Sequence, residues 1–257
     1  MIWTTRPRSE IAGLAAIVAG AGPEIVLIHG VGLRAEAFLA QITALSAQFR
    51  VTALDMPGHG GSPALAEPHS LAAYAEALAP ALPAGCMVAG HSMGAMLALE
   101  LAARYPDKVR GVAALNAIYR RSAPAAAAVQ RRAADLAPPF DHEPTLTRWF
   151  GAQNSAERAA CAGWLAAADP GGYAAAYRVF AHADGPSDQS LRDLACPALF
   201  MTGSAEPNST PAMSQAMAAR APRGRAKVIA GAAHMMPMTH AAAVNAALAD
   251  LARETLC

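Results

Sequence analysis

The chain has 257 residues with 54% hydrophobic side chains, 20 Lys and Arg against 19 Asp and Glu, and a charged fraction of 15%, a size that suits one large domain or two small ones. Low charge and high apolar content exclude an intrinsically disordered chain, and the lack of any basic run, with Lys108 and Lys227 the only lysines, argues against nucleic acid as a partner because phosphate binding needs clustered cations. Alanine fills 68 positions, so much of the apolar content is small side chain and packed elements can approach closely.

Taken in chain order, Arg6 and Arg8 precede an apolar run, IAGLAAIVAG, that ends in Ala19-Gly20-Ala21 and has the outline of a secretory leader. Glu10 interrupts that outline, and cleavage would strip strand-forming residues from beside IVLIHG. No apolar run reaches the roughly 18 residues of a membrane span. A cytoplasmic protein without membrane association is therefore expected. Segments 25–29, 51–55, 86–90, 112–115, 198–202 and 227–230 read as buried strands, and 35–48, 71–82, 93–105, 211–220 and 241–254 as helices between them. This alternation predicts an α/β fold with a mostly parallel sheet and helices on both faces. Residues 119–191 break it, with Ala, Arg and scattered aromatics but no strand-like run, and predict a helical cap inserted in a core of residues 1–118 and 192–257. Cys86, Cys161, Cys196 and Cys257 lie far apart without a CxxC pair, as expected of reduced thiols.

The sharpest chemical signal is Gly90-His91-Ser92-Met93-Gly94, preceded by the strand-like CMVA and followed by the helical MGAMLALELAARY. Strand, tight turn and helix are the setting of a nucleophile elbow, whose glycines are needed because a Cβ at either position would collide across the turn. A serine nucleophile needs a base and preplaced donors for its oxyanion. His29-Gly30-Val31-Gly32 follows a strand directly, so the N–H groups of Val31 and Met93 are the expected oxyanion donors. His234, late in the chain on a loop after a strand, is the expected base. Of the other histidines, His29 and His91 belong to the turns, His59 lies in the Gly cluster DMPGHGGS, His69, His142 and His182 have no partner motif, and His240 caps or starts the last helix. Glu206 is the acid nearest the end of the preceding strand, where it orients His234 or else sits in a solvated turn before Pro207. Asn116 occupies an alternative acid position but carries an amide, and Asp184, Asp188 and Asp193 compete only if the cap folds back into the site.

Ser92, Glu206 and His234 in that order, the HGVG turn, DMPGHGGS and a cap before the acid strand resemble the α/β-hydrolase family over residues 20–255. The resemblance implies an eight-stranded, mostly parallel sheet. Within the family, Thr147-Arg148-Trp149-Phe150 and the later ADPGGYAAAYRVFAHAD are similar to the cap of 3-oxoadipate enol-lactonases. That similarity implies a carboxylate-binding Arg148 and a Trp149 that walls the acyl pocket, against the alternative of a solvated Arg and a core Trp. His29, Arg148 and Trp149 are the expected substrate contacts, and Trp149, Trp164, Tyr173, Tyr177 and Phe180 the side chains expected to shape the pocket. The expected function is hydrolysis of a small carboxylic ester or lactone through an acyl-enzyme on Ser92. Hydrolysis of a carbon–carbon bond in a β-diketone-like substrate and ligand reception without turnover are the alternatives. No cofactor is implied: GxxxxGK and HExxH are missing, and the adjacent Asp141, His142 and Glu143 cannot readily converge on one metal ion.

Overall fold

A computed structural model of the chain describes residues 3–152 and 154–257. Its centre is one eight-stranded sheet built from β1 (Ser9–Ile11), β2 (Leu14–Ala19), β3 (Glu24–Ile28), β4 (Arg50–Leu54), β5 (Cys86–His91), β6 (Val109–Leu115), β7 (Ala198–Gly203) and β8 (Gly224–Ile229), in the order β1-β2-β4-β3-β5-β6-β7-β8. Strands β4 to β8 and β3 pair in parallel, while β1 and β2 are antiparallel to each other and β2 to β4. The two antiparallel strands contain the apolar run that resembles a leader. The Ala-rich residues of β2 pair by register with β4, Ala16 opposite Leu54 and Val18 opposite Thr52, a long-range partnership that local composition does not announce.

Strand residues alternate between two apolar layers because successive side chains leave opposite faces. Val26, Ile28 and Val88 join one layer, and Ile25, Leu27, Met87 and Ala89 the other. The first layer is closed by α2 (Leu71–Leu78), α3 (Met93–Arg104) and α9 (Pro211–Ala218), the second by α1 (Leu39–Leu45) and α11 (Ala241–Leu256). On α3 the fully buried Ala95 and Ala98 take the place of bulkier side chains, which is where the alanine content brings a helix close to the sheet. The helix expected over 35–48 is a 3₁₀ turn, Ala35–Phe38, followed by the shorter α1. The one expected over 71–82 tightens to a 3₁₀ turn at Ala79–Ala81, since Pro80 has no N–H to continue α-helical bonding.

Between β6 and β7 the chain forms α4 (Ala123–Ala134), α5 (Glu143–Phe150), α6 (Ala156–Ala166), α7 (Pro170–His182) and α8 (Asp188–Arg192), and α10 (Met236–Thr239) precedes α11. Ser122, Ser155, Asp169 and Ser187 cap α4, α6, α7 and α8, each accepting the backbone N–H three residues on, a contact that typically stabilises a helix by ~1 kcal/mol. The two ends of the insertion are tied together where the Arg120 N–H donates to Asp184 O at 3.0 Å and the Arg121 N–H to Asp184 Oδ1 at 2.7 Å. All four cysteines are free thiols. Among the described residues no helix is long and apolar enough to cross a membrane.

Candidate functional site

Ser92 stands between β5 and α3 with φ 58° and ψ −118°, a conformation that costs a non-glycine residue ~1–3 kcal/mol. The turn persists because its surroundings leave no other path. A Cβ on Gly90 would lie 1.9 Å from Gly94 O, and one on Gly94 would lie 2.1 Å from Ile28 O, so glycine alone fits at both positions. The Ser92 N–H donates to Leu115 O at 2.9 Å, which anchors the turn to β6. The side chain faces a cavity of about 420 Å³ that His234 also lines.

The HGVG loop runs directly against this serine, since a Cβ on Gly30 would approach Ser92 Cβ to 3.0 Å. His29, expected as a substrate contact, is instead fully buried and outside the cavity wall. Its Nε2 accepts the Met56 N–H at 3.0 Å, so the ring proton sits on Nδ1, which donates to Gly30 O at 2.8 Å. Burial, with the neighbouring His59 adding to it, lowers its pKa to about 3, so the ring is neutral. The Leu33 N–H donates to the same Gly30 oxygen at 3.2 Å. Gly30 C=O and Val31 N–H belong to one trans peptide and point in opposite directions, so clamping the oxygen aims the Val31 N–H. Neither the Val31 nor the Met93 N–H donates to a backbone carbonyl among the described residues. Met93 opens α3, where the helix dipole also favours negative charge. Behind the loop, Asp55 accepts the Ala35 and Gly61 N–H groups at 2.8 and 2.9 Å, and Arg8 bridges Asp55 and Glu36 at 2.7 and 2.6 Å. The N-terminal segment thereby braces the loop from outside the sheet.

Glu206 is buried rather than solvated in its turn. Its Oε2 accepts from His234 Nδ1 at 2.9 Å, while Oε1 accepts the N–H groups of Asn208 and Ser209 at 2.8 and 3.3 Å. Burial alone would raise the carboxyl pKa; the charge and hydrogen bond of His234 and the two backbone donors outweigh it and hold it at about 2. The His234 backbone is gripped separately, its carbonyl accepting from Asn116 Nδ2 at 2.6 Å and His91 Nε2 at 2.8 Å. Asn116 is therefore a donor to the histidine backbone, not a substitute acid, and Thr202 holds its amide oxygen at 3.0 Å. Burial, reinforced by His234, lowers His91 to about 3 and keeps it neutral. Asp184 and Asp188 serve the base of the insertion, Asp188 pairing with Arg120 and Arg220, and neither they nor Asp193 line the cavity. His240 precedes α11 without a side-chain cap, its Nδ1 lying 3.0 Å from Thr239 Oγ1.

The insertion roofs the cavity with aromatic and cationic side chains. Trp149 of α5 lies over His234, ring centroids 5.7 Å apart and planes at 19°. Tyr173, Tyr177 and Phe180 line the wall; Trp164 does not, packing edge-on against Trp3 at 6.3 Å. Arg121, Arg132 and Arg148 converge around Tyr177. Arg132 Nε donates to the Tyr177 hydroxyl at 3.3 Å, Arg148 Nη2 to Thr145 Oγ1 at 2.7 Å, and Arg121 covers Phe180 at 4.6 Å. Among the described residues Arg132 and Arg148 have no carboxylate within 4.0 Å, and Arg121 has only Asp184 at 3.8 Å. Burial, with Arg132 adding like charge, lowers the Arg148 pKa below its ordinary value. Of these cations the sequence singled out only Arg148; Arg121 and Arg132 join it through the packing of α4 against α7.

A profile described as the alpha/beta hydrolase family matches residues 25–247. The chain is 40% identical over 237 residues to the (E)-2-((N-methylformamido)methylene)succinate hydrolase of Acinetobacter baylyi, covering 89% of this chain and 90% of that one. Among solved structures, a malate-bound thermophilic esterase from Thermogutta terrifontis superposes with a TM-score of 0.85 at 26% identity, covering 98% of this chain and all of that one. An enol-lactonase from Burkholderia xenovorans superposes with a TM-score of 0.77 at 25% identity, over 95% and 99% of the two chains.

Proposed function

The chain belongs to the alpha/beta hydrolase family, a family of hydrolases, and from that premise we propose that it cleaves the acyl bond of a small, carboxylate-bearing ester, lactone or N-acyl compound through an acyl-enzyme on Ser92. The observation that carries this reading is the buried Glu206 bonded to His234 Nδ1 at 2.9 Å, with His234 and the strained Ser92 on one cavity. With Nδ1–H committed to Glu206, Nε2 is the nitrogen free to take a proton.

Ser92 Oγ forms a bond to the substrate carbonyl carbon as His234 Nε2 takes its proton, and Glu206 stabilises the resulting imidazolium. The Val31 and Met93 N–H groups receive the oxyanion. As the bond to the leaving oxygen or nitrogen breaks, His234 returns the proton to it. Water then attacks the acyl carbon with His234 again as base, releasing the carboxylic acid and restoring Ser92. Three of the four guanidiniums on the cavity, Arg121, Arg132 and Arg148, have one weakly placed acid partner between them, and this supports an anionic substrate most directly at the half-buried Arg148, whose desolvated charge a substrate carboxylate would satisfy. The succinate derivative named for the 40% identical relative and the malate bound to the esterase support the same choice.

Steady-state kinetics test it. Turnover of (E)-2-((N-methylformamido)methylene)succinate should exceed that of its dimethyl ester by about 100-fold in kcat/KM, the worth of two charge-assisted contacts, and Ser92→Ala should remove both activities. Equal or better turnover of the neutral diester rules out the anionic substrate, and multiple turnover by Ser92→Ala rules out the nucleophile. Binding without turnover by the unaltered chain would instead support a receptor.

A further inference from the structure

The contact between Trp149 and His234 does more than close the cavity. We infer that Trp149 is a positioning residue for His234: the insertion lays an indole face along the imidazole, holds the ring plane, and favours the ring once it has taken a proton. The inference rests on the Ser92–His234 reading above and extends it to a residue otherwise assigned to the substrate pocket.

The other constraints on His234 leave this one to be supplied. Glu206 holds Nδ1 within the ring plane, while Asn116 and His91 grip only the backbone carbonyl. The indole, nearly parallel at 19° and 5.7 Å between centroids, opposes tilting out of that plane and covers one face from water, consistent with a His234 side chain only 12% exposed. Leu146, three residues before Trp149, is the buried anchor of α5, so both project from one side of that helix. The spacing lies within the roughly 6 Å over which a cation is attracted to an indole face. The attraction is weak for neutral imidazole and grows when the ring is charged, so it favours the transition state over the ground state. The titratable and charged groups around His234 are Glu206 from the loop after β7, His91 from β5, and the cavity guanidiniums of Arg120, Arg121, Arg132 and Arg148. Of these, Glu206 favours the charged ring and the arginines oppose it. Trp149 adds a stabilising partner that carries no charge of its own.

The test uses Trp149→Leu and Trp149→Phe in the full chain with p-nitrophenyl acetate, whose acyl group has no carboxylate for the arginines to bind. The leucine variant should lose about tenfold in kcat with KM within about twofold, and the acid limb of kcat/KM should move to lower pH; phenylalanine should restore most of both. A rise in KM at unchanged kcat, or identical behaviour of the two variants, overturns the inference and leaves Trp149 a substrate wall. A second readout needs no turnover. In a Ser92→Ala background, the Trp149 emission, taken as the difference from Ser92→Ala/Trp149→Phe, should fall on acidification as the imidazolium forms and quenches it. Adding His234→Gln should abolish the fall, and a fall that survives it refutes the contact. If Ser92→Ala itself still turns over substrate, the reading of Ser92 as the nucleophile fails while the fluorescence result continues to report on the contact alone.

Discussion

Exchanging one oxygen of Glu206 for an amide nitrogen should separate activity from folding. In Glu206→Gln the side chain keeps its length, and its remaining oxygen can still receive the Asn208 and Ser209 N–H groups now bonded at 2.8 and 3.3 Å. The new NH₂ then faces His234 Nδ1 across 2.9 Å, where two donors cannot meet. His234 relieves the conflict by moving its proton to Nε2, which leaves Nδ1 to accept from the amide but gives Ser92 no base. The expected loss in kcat/KM on p-nitrophenyl acetate is about 10⁴-fold, as for the same amide exchange in a protease triad, while the variant stays folded at neutral pH because each hydrogen bond has a replacement, losing only the stability that the charge contributes. Acid should reveal the lost charge. The native carboxyl pKa is lowered from 4.5 to about 2, so Glu206 stabilises the fold above the unfolded value and loses that contribution as pH falls from 4.5 toward 2. The depression corresponds to about 3 kcal/mol at most. The unaltered chain should therefore lose stability more steeply across that window than Glu206→Gln in urea melts at stepped pH. A loss of only a few-fold in kcat/KM, with the variant folded, refutes the assignment of Glu206 as the acid.

Arg148→Met should raise KM for the succinate-type substrate about 10- to 100-fold, the worth of a lost charge-assisted contact, with p-nitrophenyl acetate changed by less than about twofold; equal effects on both substrates refute an anion-binding role. His29→Gln should lower kcat about 10- to 100-fold with little change in KM, because the Gly30–Val31 peptide loses the clamp that aims its N–H; unaltered kcat in a folded variant would place the oxyanion donors elsewhere. Gly94→Ala should fold poorly or not at all, since its Cβ would meet Ile28 O at 2.1 Å, and a normal melting curve would contradict the elbow geometry.

What the sequence discloses follows the range of the interactions involved. The elbow is legible because its demands are local: two glycines and a serine between a strand and a helix are required by backbone crowding within five residues. Five of the six parallel strands, β3 to β7, are legible because burial makes them largely apolar, whereas β8 carries Arg225 and Lys227 on an exposed edge and shows only its apolar end to the sequence; the family resemblance then implies an eight-stranded, mostly parallel sheet. β1 and β2 are not legible, since the alanines of β2 are apolar enough to suggest a leader, its partner β4 lies more than 30 residues away, and the three residues of β1 pair only with β2. His29 shows the same limit at a single residue. Its motif marks it as functional, but its role depends on Met56, brought to Nε2 only by the fold. Arg121, Arg132 and Tyr177 sit on separate stretches of the insertion and become one cavity-lining group through helix packing, for which a run of alanines and arginines carries no signal. Trp164 fails as a pocket residue for the same reason: its ring is satisfied by Trp3, remote in sequence and adjacent in space.

The central claim is that Ser92 is an activated nucleophile. Labelling with diisopropyl fluorophosphate, followed by intact-mass analysis and peptide mapping, tests it most directly. The account predicts one adduct per chain, located on Ser92, forming in step with loss of hydrolysis and slowed by orders of magnitude in Glu206→Gln. An adduct on another residue that accompanies inactivation, with Ser92 unmodified, would contradict it.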